Sequence, residues 1–117
     1  MIEITRRSLY PATVSFAINS ATVSQREMVN VYNVAHWLKD NPNCKVTITG
    51  YADRNTGTAE YNMKLSKRRA EAVAEALKAT YGIASDRIIV KSEGSGEQPY
   101  PADNNWNRVV IIVGSEL

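Results

Sequence analysis

The residues best suited to chemistry in this 117-residue chain are a carboxylate and a guanidinium, Asp53 and Arg69. Residues 59–77 are rich in good helix formers and predict a long helix. On a helical wheel of about 100° per residue, Arg69 falls about 40° from Leu65, inside the apolar arc. An isolated buried charge is strongly disfavoured, so an arginine on this face needs a partner. Asp53, at the end of the preceding predicted strand, is the nearest candidate.

Periodicity alone leaves two interpretations of this pair open. The first is structural: Arg69 forms an ion pair with Asp53, or its guanidinium extends along the helix surface to water. The second is functional: the two side chains form a site for a ligand that carries one positive and one negative charge. Asn62 and Ser66 share this side of the helix, so its inward face is polar in the N-terminal half.

Length and composition indicate one compact domain. With 44% hydrophobic residues, the chain has enough core to fold unaided. The net charge of +2 is modest and the charges follow helical spacing, so composition indicates neither nucleic acid nor an anionic membrane as partner. No apolar run is long enough to span a bilayer. No charged-then-apolar leader opens the chain, so any secretion signal is expected outside it.

One cysteine and one histidine limit the redox and metal chemistry available. Cys44 has no second cysteine to pair with, and its place at a strand start favours a small buried side chain. His36 lies beside an apolar helical stripe and is interpreted as a surface or boundary residue. We therefore expect no transition-metal site and no cofactor. We also predict no enzyme activity, since no nucleotide-binding glycine loop or activated nucleophile is visible.

The hydrophobic pattern switches period along the chain and predicts the order β-α-β-α-β-β. The predicted fold class is α+β, with two helices packed on one face of a mixed four-stranded sheet. Strands are predicted near 11–18, 44–51, 88–93 and 106–113, and helices near 24–40 and 59–80. Residues 1–10 are interpreted as a linker or short edge strand, and residues 11–117 as the domain.

Three local signals refine these elements. Ser24 and Glu27 have the spacing of a capping box at the start of the first helix. Gly82 is placed to end the second helix. The apolar run at 109–113 predicts a central strand that is buried on both faces.

The motif around the charge pair resembles the signature of OmpA-like domains. The matching spacings are Gly50-Tyr51-Ala52-Asp53, then Gly57-Thr58, then Tyr61-Asn62-x-x-Leu65-Ser66-x-x-Arg69-Ala70-x-x-Val73-x-x-x-Leu77. The likeness extends to 16–21 and to 107–110, and covers nearly all of 14–113. These domains are the C-terminal peptidoglycan-binding modules of outer-membrane protein A, peptidoglycan-associated lipoproteins and flagellar stator proteins. Their β-α-β-α-β-β order agrees with the predicted one.

The resemblance implies a ligand and a role for each site residue. In this family the ligand is diaminopimelate of the peptidoglycan stem peptide, whose free end is a zwitterionic amino acid. By resemblance, Asp53 binds the ammonium, and Arg69 clamps the carboxylate in a planar, bidentate arrangement. The other positions that match the family site are Thr58, Asn62 and Leu65 in the same pocket, Asn19 and Ser20 in the opposite wall, and Arg108.

The function implied by the resemblance is a non-catalytic, non-covalent anchor that binds peptidoglycan in the periplasm. The domain would be the soluble end of a larger outer-membrane or envelope protein, without inserting into the membrane itself and without binding nucleic acid. A homodimer is an open alternative to a monomer.

Two other functions stay open. A structural or assembly module could keep the fold without wall binding, because the sequence departs from the family near the site. Val109 replaces the second arginine of the family's Asn-Arg-Arg-Val run, 102–106 lacks the Gly-Arg-Ala helix start, and the loop after Asp53 is one residue longer. A hydrolase acting on wall peptides is the second alternative, and it would need a nucleophile or metal that the sequence does not present.

Overall fold

The computed structural model describes residues 12–53, 57–96 and 107–116. Its main elements are β1 (Ala12–Ser15), α1 (Met28–Asp40), β2 (Cys44–Tyr51), α2 (Ala59–Glu75), β3 (Ile88–Gly94) and β4 (Val109–Glu116). A π-helical turn, Ala76–Thr80, continues α2, and a 3-10 turn, Ser85–Arg87, precedes β3. The prediction for residues 1–10 lies outside the described residues.

The four strands form one sheet in the order β1-β4-β2-β3. β4 lies between β1 and β2 and is antiparallel to both, with Val110 opposite Val14 and Gly50. β2 and β3 are parallel because α2 forms the crossover between them. The predicted α+β fold with a mixed four-stranded sheet is confirmed. The ends of β1, β2 and β3 and the start of β4 consequently meet at one edge of the sheet.

Both helices pack on the same face of the sheet and bury the core there. Its members with 0% exposure are Val14, Val31, Val34, Leu38, Val46, Ile48, Ala70, Val73, Leu77, Val110 and Ile112. As predicted, Cys44 is buried and His36 lies at the surface, where Asp40 is 3.4 Å away. No helix among the described residues is both long and apolar enough to cross a membrane.

The prediction that β4 is central is correct, but the prediction that it is buried on both faces is wrong. Val110 and Ile112 are fully buried, whereas Ile111 and Val113 are only partly buried. The helices cover one face of the sheet only, so alternate residues of even a central strand are less protected.

The first helix begins at Met28, so Ser24, which the sequence predicts as its cap, lies four residues before the helix. The Ser24 carbonyl accepts hydrogen bonds from the amides of Glu27 and Met28, so these residues form a turn before the helix. The Ser24 hydroxyl accepts from the Glu27 amide at 3.2 Å, as a capping box requires. The Glu27 carboxylate instead accepts from the amides of Ser15 and the Asn30 side chain, at 3.0 and 3.2 Å. The Glu27 carboxylate therefore links the start of α1 to β1 by hydrogen bonds.

The predicted glycine stop of the second helix is confirmed. Gly82 adopts a φ of 71°, and its amide donates to the Lys78 carbonyl at 3.1 Å. The Ile83 amide donates to the Leu77 carbonyl at 3.0 Å. Glycine reaches this left-handed conformation without the steric penalty that other residues incur.

The second helix approaches β2 most closely at Gly50. A Cβ atom at this position would lie 2.0 Å from the Ser66 carbonyl oxygen, so the packing requires glycine. The fully buried Ser66 hydroxyl donates to the Met63 carbonyl and accepts from the Gly94 amide, both at 2.9 Å. The polar half of α2 is therefore fixed against the ends of β2 and β3.

Arg87 supports the end of α1 from outside the helix. Its Nε donates to the Cys44 carbonyl at 2.9 Å, and one terminal nitrogen donates to the carbonyls of Leu38 and Asn41, each at 2.8 Å. The last carbonyls of a helix have no partner within the helix, so an external donor satisfies them. The pattern of the sequence gave no signal for this contact.

We expect Arg87→Ala to lower the free energy of unfolding by about 2–4 kcal/mol, because three carbonyls lose a charged donor. Urea unfolding followed by circular dichroism measures the change. Lys67→Ala is the matched control, since it removes an exposed cation and should cost less than about 0.5 kcal/mol. An equal loss in the two variants would contradict the role assigned to Arg87.

Candidate functional site

The predicted site residues meet at the sheet edge where β2 ends and β4 begins. Asp53 follows β2, Arg108 immediately precedes β4, and Arg69 projects from α2. The loop of residues 16–20 follows β1 and lies against the same edge. Four segments that are distant in sequence thus supply the site.

Arg69 is the largest fully buried side chain of the described residues, with 1% exposure. Its Nε donates to the Ser20 carbonyl at 2.8 Å, and its two terminal nitrogens donate to the Tyr51 and Ala17 carbonyls, each at 3.0 Å. A guanidinium has five N–H groups, so these bonds engage three of them and fix its plane. The alternative in which the Arg69 guanidinium extends along the helix surface to water is therefore wrong.

The guanidinium keeps its charge in this buried position. Desolvation lowers the pKa of Arg69 from its ordinary value to about 10, and the nearby Arg108 acts in the same direction. The negative charge of Asp53 opposes this decrease. The Phe16 ring lies 5.3 Å from the guanidinium carbon and contributes a cation–π contact. Since a pKa of about 10 is far above neutral pH, Arg69 remains positively charged at pH 7.

Asp53 is also buried, with 1% exposure. Its Oδ2 lies 3.3 Å from a terminal nitrogen of Arg108, whose side chain is 16% exposed. Arg108 also donates from Nε to the Phe16 carbonyl at 3.3 Å. Arg108 therefore forms an ion pair with Asp53, whereas the structural interpretation of the sequence assigned that role to Arg69.

The start of α2 holds the segment that carries Asp53. Asn62 is 2% exposed, and its side-chain amide donates to the Asp53 carbonyl at 3.2 Å. Thr58 is the N-cap of α2, and its hydroxyl accepts from the Tyr61 amide at 3.1 Å. Thr58 therefore serves the helix start, and Asn62 positions the backbone of the site.

A pocket of about 370 Å³ is lined by Asn19, Gly57, Tyr61 and Leu65, and Leu65 lies one helical turn before Arg69 on α2. The Tyr61 hydroxyl donates to the Asn19 side-chain carbonyl and joins α2 to the loop. Asn19 has a φ of 56°, in the left-handed region that asparagine tolerates better than most residues. Tyr61 was missed as a site residue, although its offset of four from Leu65 places it on the same helix face.

The predicted positions enter the site in different ways. Charged side chains come from Asp53, Arg69 and Arg108, while Asn19 and Leu65 line the pocket. Ser20 contributes its carbonyl to Arg69, and its hydroxyl accepts from the Thr22 amide at 3.2 Å. The assignment of all eight residues to ligand binding stays a prediction.

The fold and the buried charges define a small α+β domain with a cluster of buried polar and charged side chains at one edge of its sheet. The chain belongs to the OmpA family, whose profile matches residues 15–110. It is similar to Outer membrane protein 40 of Porphyromonas gingivalis, with 50% identity over 103 residues, which is 88% of this chain and 26% of that protein. The chain spans about a quarter of the length of the first curated relatives it matches.

Two solved structures show the same fold. One is the peptidoglycan-associated lipoprotein from Burkholderia pseudomallei, with a TM-score of 0.81 and 28% identity, covering 89% of this chain and 90% of that one. The other is the cell wall anchor of the T6SS from Pseudomonas aeruginosa, with a TM-score of 0.74 and 29% identity, covering 93% and 82%. The shared architecture is the two-helix, four-stranded domain described above.

Proposed function

We propose that this domain binds peptidoglycan non-covalently through the zwitterionic end of diaminopimelate in the stem peptide. The observation that carries the proposal is the burial of two opposite charges at the end of β2, where Asp53 and Arg69 are each 1% exposed. Burying charged groups costs free energy unless they are paired and hydrogen-bonded. Complementary charges on a ligand offset that cost, so functional sites are a common place for such groups.

The contacts of Arg69 suit it to bind a carboxylate. Three backbone carbonyls hold the guanidinium before any ligand arrives, so little rotamer freedom is lost on binding. Its two remaining N–H groups can form the planar pair of hydrogen bonds that a carboxylate accepts. A lysine ammonium could not reproduce this arrangement, because it has neither the planar fork nor five donors.

The other charged group of the ligand is an ammonium, and we propose that Asp53 binds it. A carboxylate with 1% exposure is a strong acceptor for a charged donor, since little water screens the interaction. The pocket lined by Asn19, Gly57, Tyr61 and Leu65 has a volume of about 370 Å³, which falls in the range that accommodates small ligands. An amino acid that carries both charges would engage Asp53 and Arg69 together.

The relatives support an anchoring role in the cell envelope. Similar proteins are described as a peptidoglycan-associated lipoprotein, a cell wall anchor and outer membrane proteins. We therefore propose that the domain lies in the periplasm and attaches an outer-membrane or envelope protein to the wall. The proposed role needs no chemical step.

One contact favours the alternative of a structural or assembly module. The ion pair between Asp53 and Arg108 satisfies the carboxylate from within the protein. If that pair were permanent, the charges would stabilise the fold and no ligand ammonium could bind at Asp53.

Incubation with purified sacculi should bring most of the chain into the pellet while releasing no soluble muropeptide. Cosedimentation and chromatography of the supernatant measure the two quantities. An Arg69→Ala variant processed in parallel should stay in the supernatant, because it lacks the carboxylate ligand. Muropeptide release by the pure chain would favour the hydrolase instead, and a parent chain that stays in solution would favour the structural module.

A further inference from the structure

We infer that Arg108 is an internal competitor of the ligand for the Asp53 carboxylate and thereby sets the charge preference of the site. This inference rests on the proposed function. It adds that an anionic stem peptide and a zwitterionic one respond oppositely to the loss of Arg108.

The positions of the two side chains make the competition direct. Asp53 is 1% exposed, and the side chain of Arg108 is 16% exposed, so Arg108 is the more accessible member of the pair. Arg108 Nη1 occupies the position at Asp53 Oδ2 that a ligand ammonium would use, at 3.3 Å. Two cations cannot make the same close contact with one carboxylate oxygen. A ligand ammonium that binds at Oδ2 must therefore displace Arg108 or share that oxygen with it.

The hydrogen-bond lengths show which arginine is fixed and which can move. The three carbonyl contacts of Arg69 are 2.8–3.0 Å long. The contacts of Arg108 with Asp53 and with the Phe16 carbonyl are both 3.3 Å, longer than a strong charge-assisted bond of roughly 2.7–2.9 Å. These two contacts of Arg108 are longer than those of Arg69, so we assign the exchangeable role to Arg108 and the fixed role to Arg69.

Arg108 also keeps the ligand-free domain intact. A buried carboxylate without a compensating charge is strongly destabilising, and Arg108 supplies that charge when no ligand is present. A ligand ammonium supplies the same charge when it binds. Exchange of one cation for another lets Asp53 stay buried and paired throughout.

The charges of these three groups then determine which ligand is favoured. Arg69, Arg108 and Asp53 sum to one positive charge while Arg108 stays in place. A purely anionic ligand can bind Arg69 without moving Arg108 and gains from both arginines, because the field of Arg108 reaches Arg69. A zwitterion that places its ammonium at Asp53 competes with Arg108 for the same carboxylate. Arg108 therefore favours the anion and penalises the zwitterion.

Two probes test this: N-acetyl-L-alanyl-γ-D-glutamyl-meso-diaminopimelate, whose one ammonium is that of diaminopimelate, and the same peptide acetylated on that amine as well. Isothermal titration gives both affinities for the parent chain and for Arg108→Gln. We expect the variant to bind the first probe about fivefold more tightly and the second about fivefold more weakly, the size of one moderately exposed ion pair. If Arg108 had only a structural role, Arg108→Gln would weaken the binding of both probes.

Arg68→Gln is the matched control, because it removes an equal charge from an exposed arginine that contacts the Tyr61 ring at 5.9 Å. It should change both affinities in the same direction and by less than about twofold. The parent chain provides a second measurement that needs no variant. The Arg108 Nε–H signal in a ¹⁵N spectrum should move on saturation with the first probe and stay in place with the second.

The inference is overturned if Arg108→Gln weakens both probes or leaves their ratio unchanged. It is equally overturned if the Arg108 signal does not respond to the zwitterionic probe. A different result would contradict the proposed function. If the Arg69→Ala variant binds both probes like the parent, the assignment of the site is wrong. The two failures are therefore distinguishable.

Discussion

Arg69→Ala should abolish binding of a diaminopimelate-containing muropeptide. Removing the charged partner of a carboxylate in a desolvated pocket costs about 2–5 kcal/mol of binding free energy, which is roughly a 30-fold loss or more. Isothermal titration of the folded variant with the muropeptide measures the effect.

The control for this variant must separate lost binding from lost stability, because Arg69 also supports three carbonyls. Arg87→Ala is matched in this respect, since it too removes the donor of three carbonyls. Arg87 lies near the start of β2, and the site lies at its end, roughly 20 Å away for a strand of this length. Arg87→Ala should therefore lose stability but bind the muropeptide like the parent.

Asp53→Asn extends the same test to the other charge and should weaken binding comparably. The structural alternative predicts a different pattern, in which both substitutions lower the melting temperature and the parent has no affinity to lose. If Arg69→Ala and Asp53→Asn are both folded and bind like the parent, the site assignment is wrong.

Gly50→Ala should destabilise the fold by about 3 kcal/mol or more, the largest loss of stability we expect from a single methyl group. The new Cβ would lie 2.0 Å from the carbonyl oxygen of Ser66, which belongs to the packed backbone of α2. α2 would have to move away from β2, which would also shift Arg69. Thermal and urea unfolding measure the loss.

Gly96→Ala is the control for this substitution. The nearest atom to its added Cβ is the Glu93 carbonyl oxygen at 3.4 Å, an ordinary contact distance. We expect a change of less than about 1 kcal/mol, with a stabilising sign possible because alanine restricts the unfolded chain. Similar values for the two alanine variants would show that α2 does not pack on β2 as closely as described.

Local patterns were sufficient to predict the elements of the fold. The alternation at 44–51 and the apolar stripe of α2 depend on neighbouring residues, so they are visible in the sequence. Arg69 was identifiable for the same reason, since its charge interrupts that stripe. The start of α1 was less predictable, because Ser24 forms a capping hydrogen bond while the backbone from 25 to 27 forms only a turn.

The partners of the charged side chains could not be predicted from local patterns. Arg69 donates to carbonyls of Ala17 and Ser20, which lie 52 and 49 residues away. Every residue carries a backbone carbonyl, so no residue type marks these acceptors. The pairing of Asp53 with Arg108 spans 55 residues and depends on β4 lying beside β2. Family resemblance supplied candidate roles for these residues, but tertiary packing determined their contacts.

The position of β4 has a consequence for the order in which the domain folds. Of the described strands, β4 comes last along the chain, yet it is the strand with which β1 pairs, with Val14 opposite Val110. β1 therefore cannot join the sheet until β4 is in place. Pairing over such a sequence distance is also slow, because a long loop must close first. The loop after β1 and the arginine that precedes β4 therefore reach Asp53 and Arg69 together, in one late step.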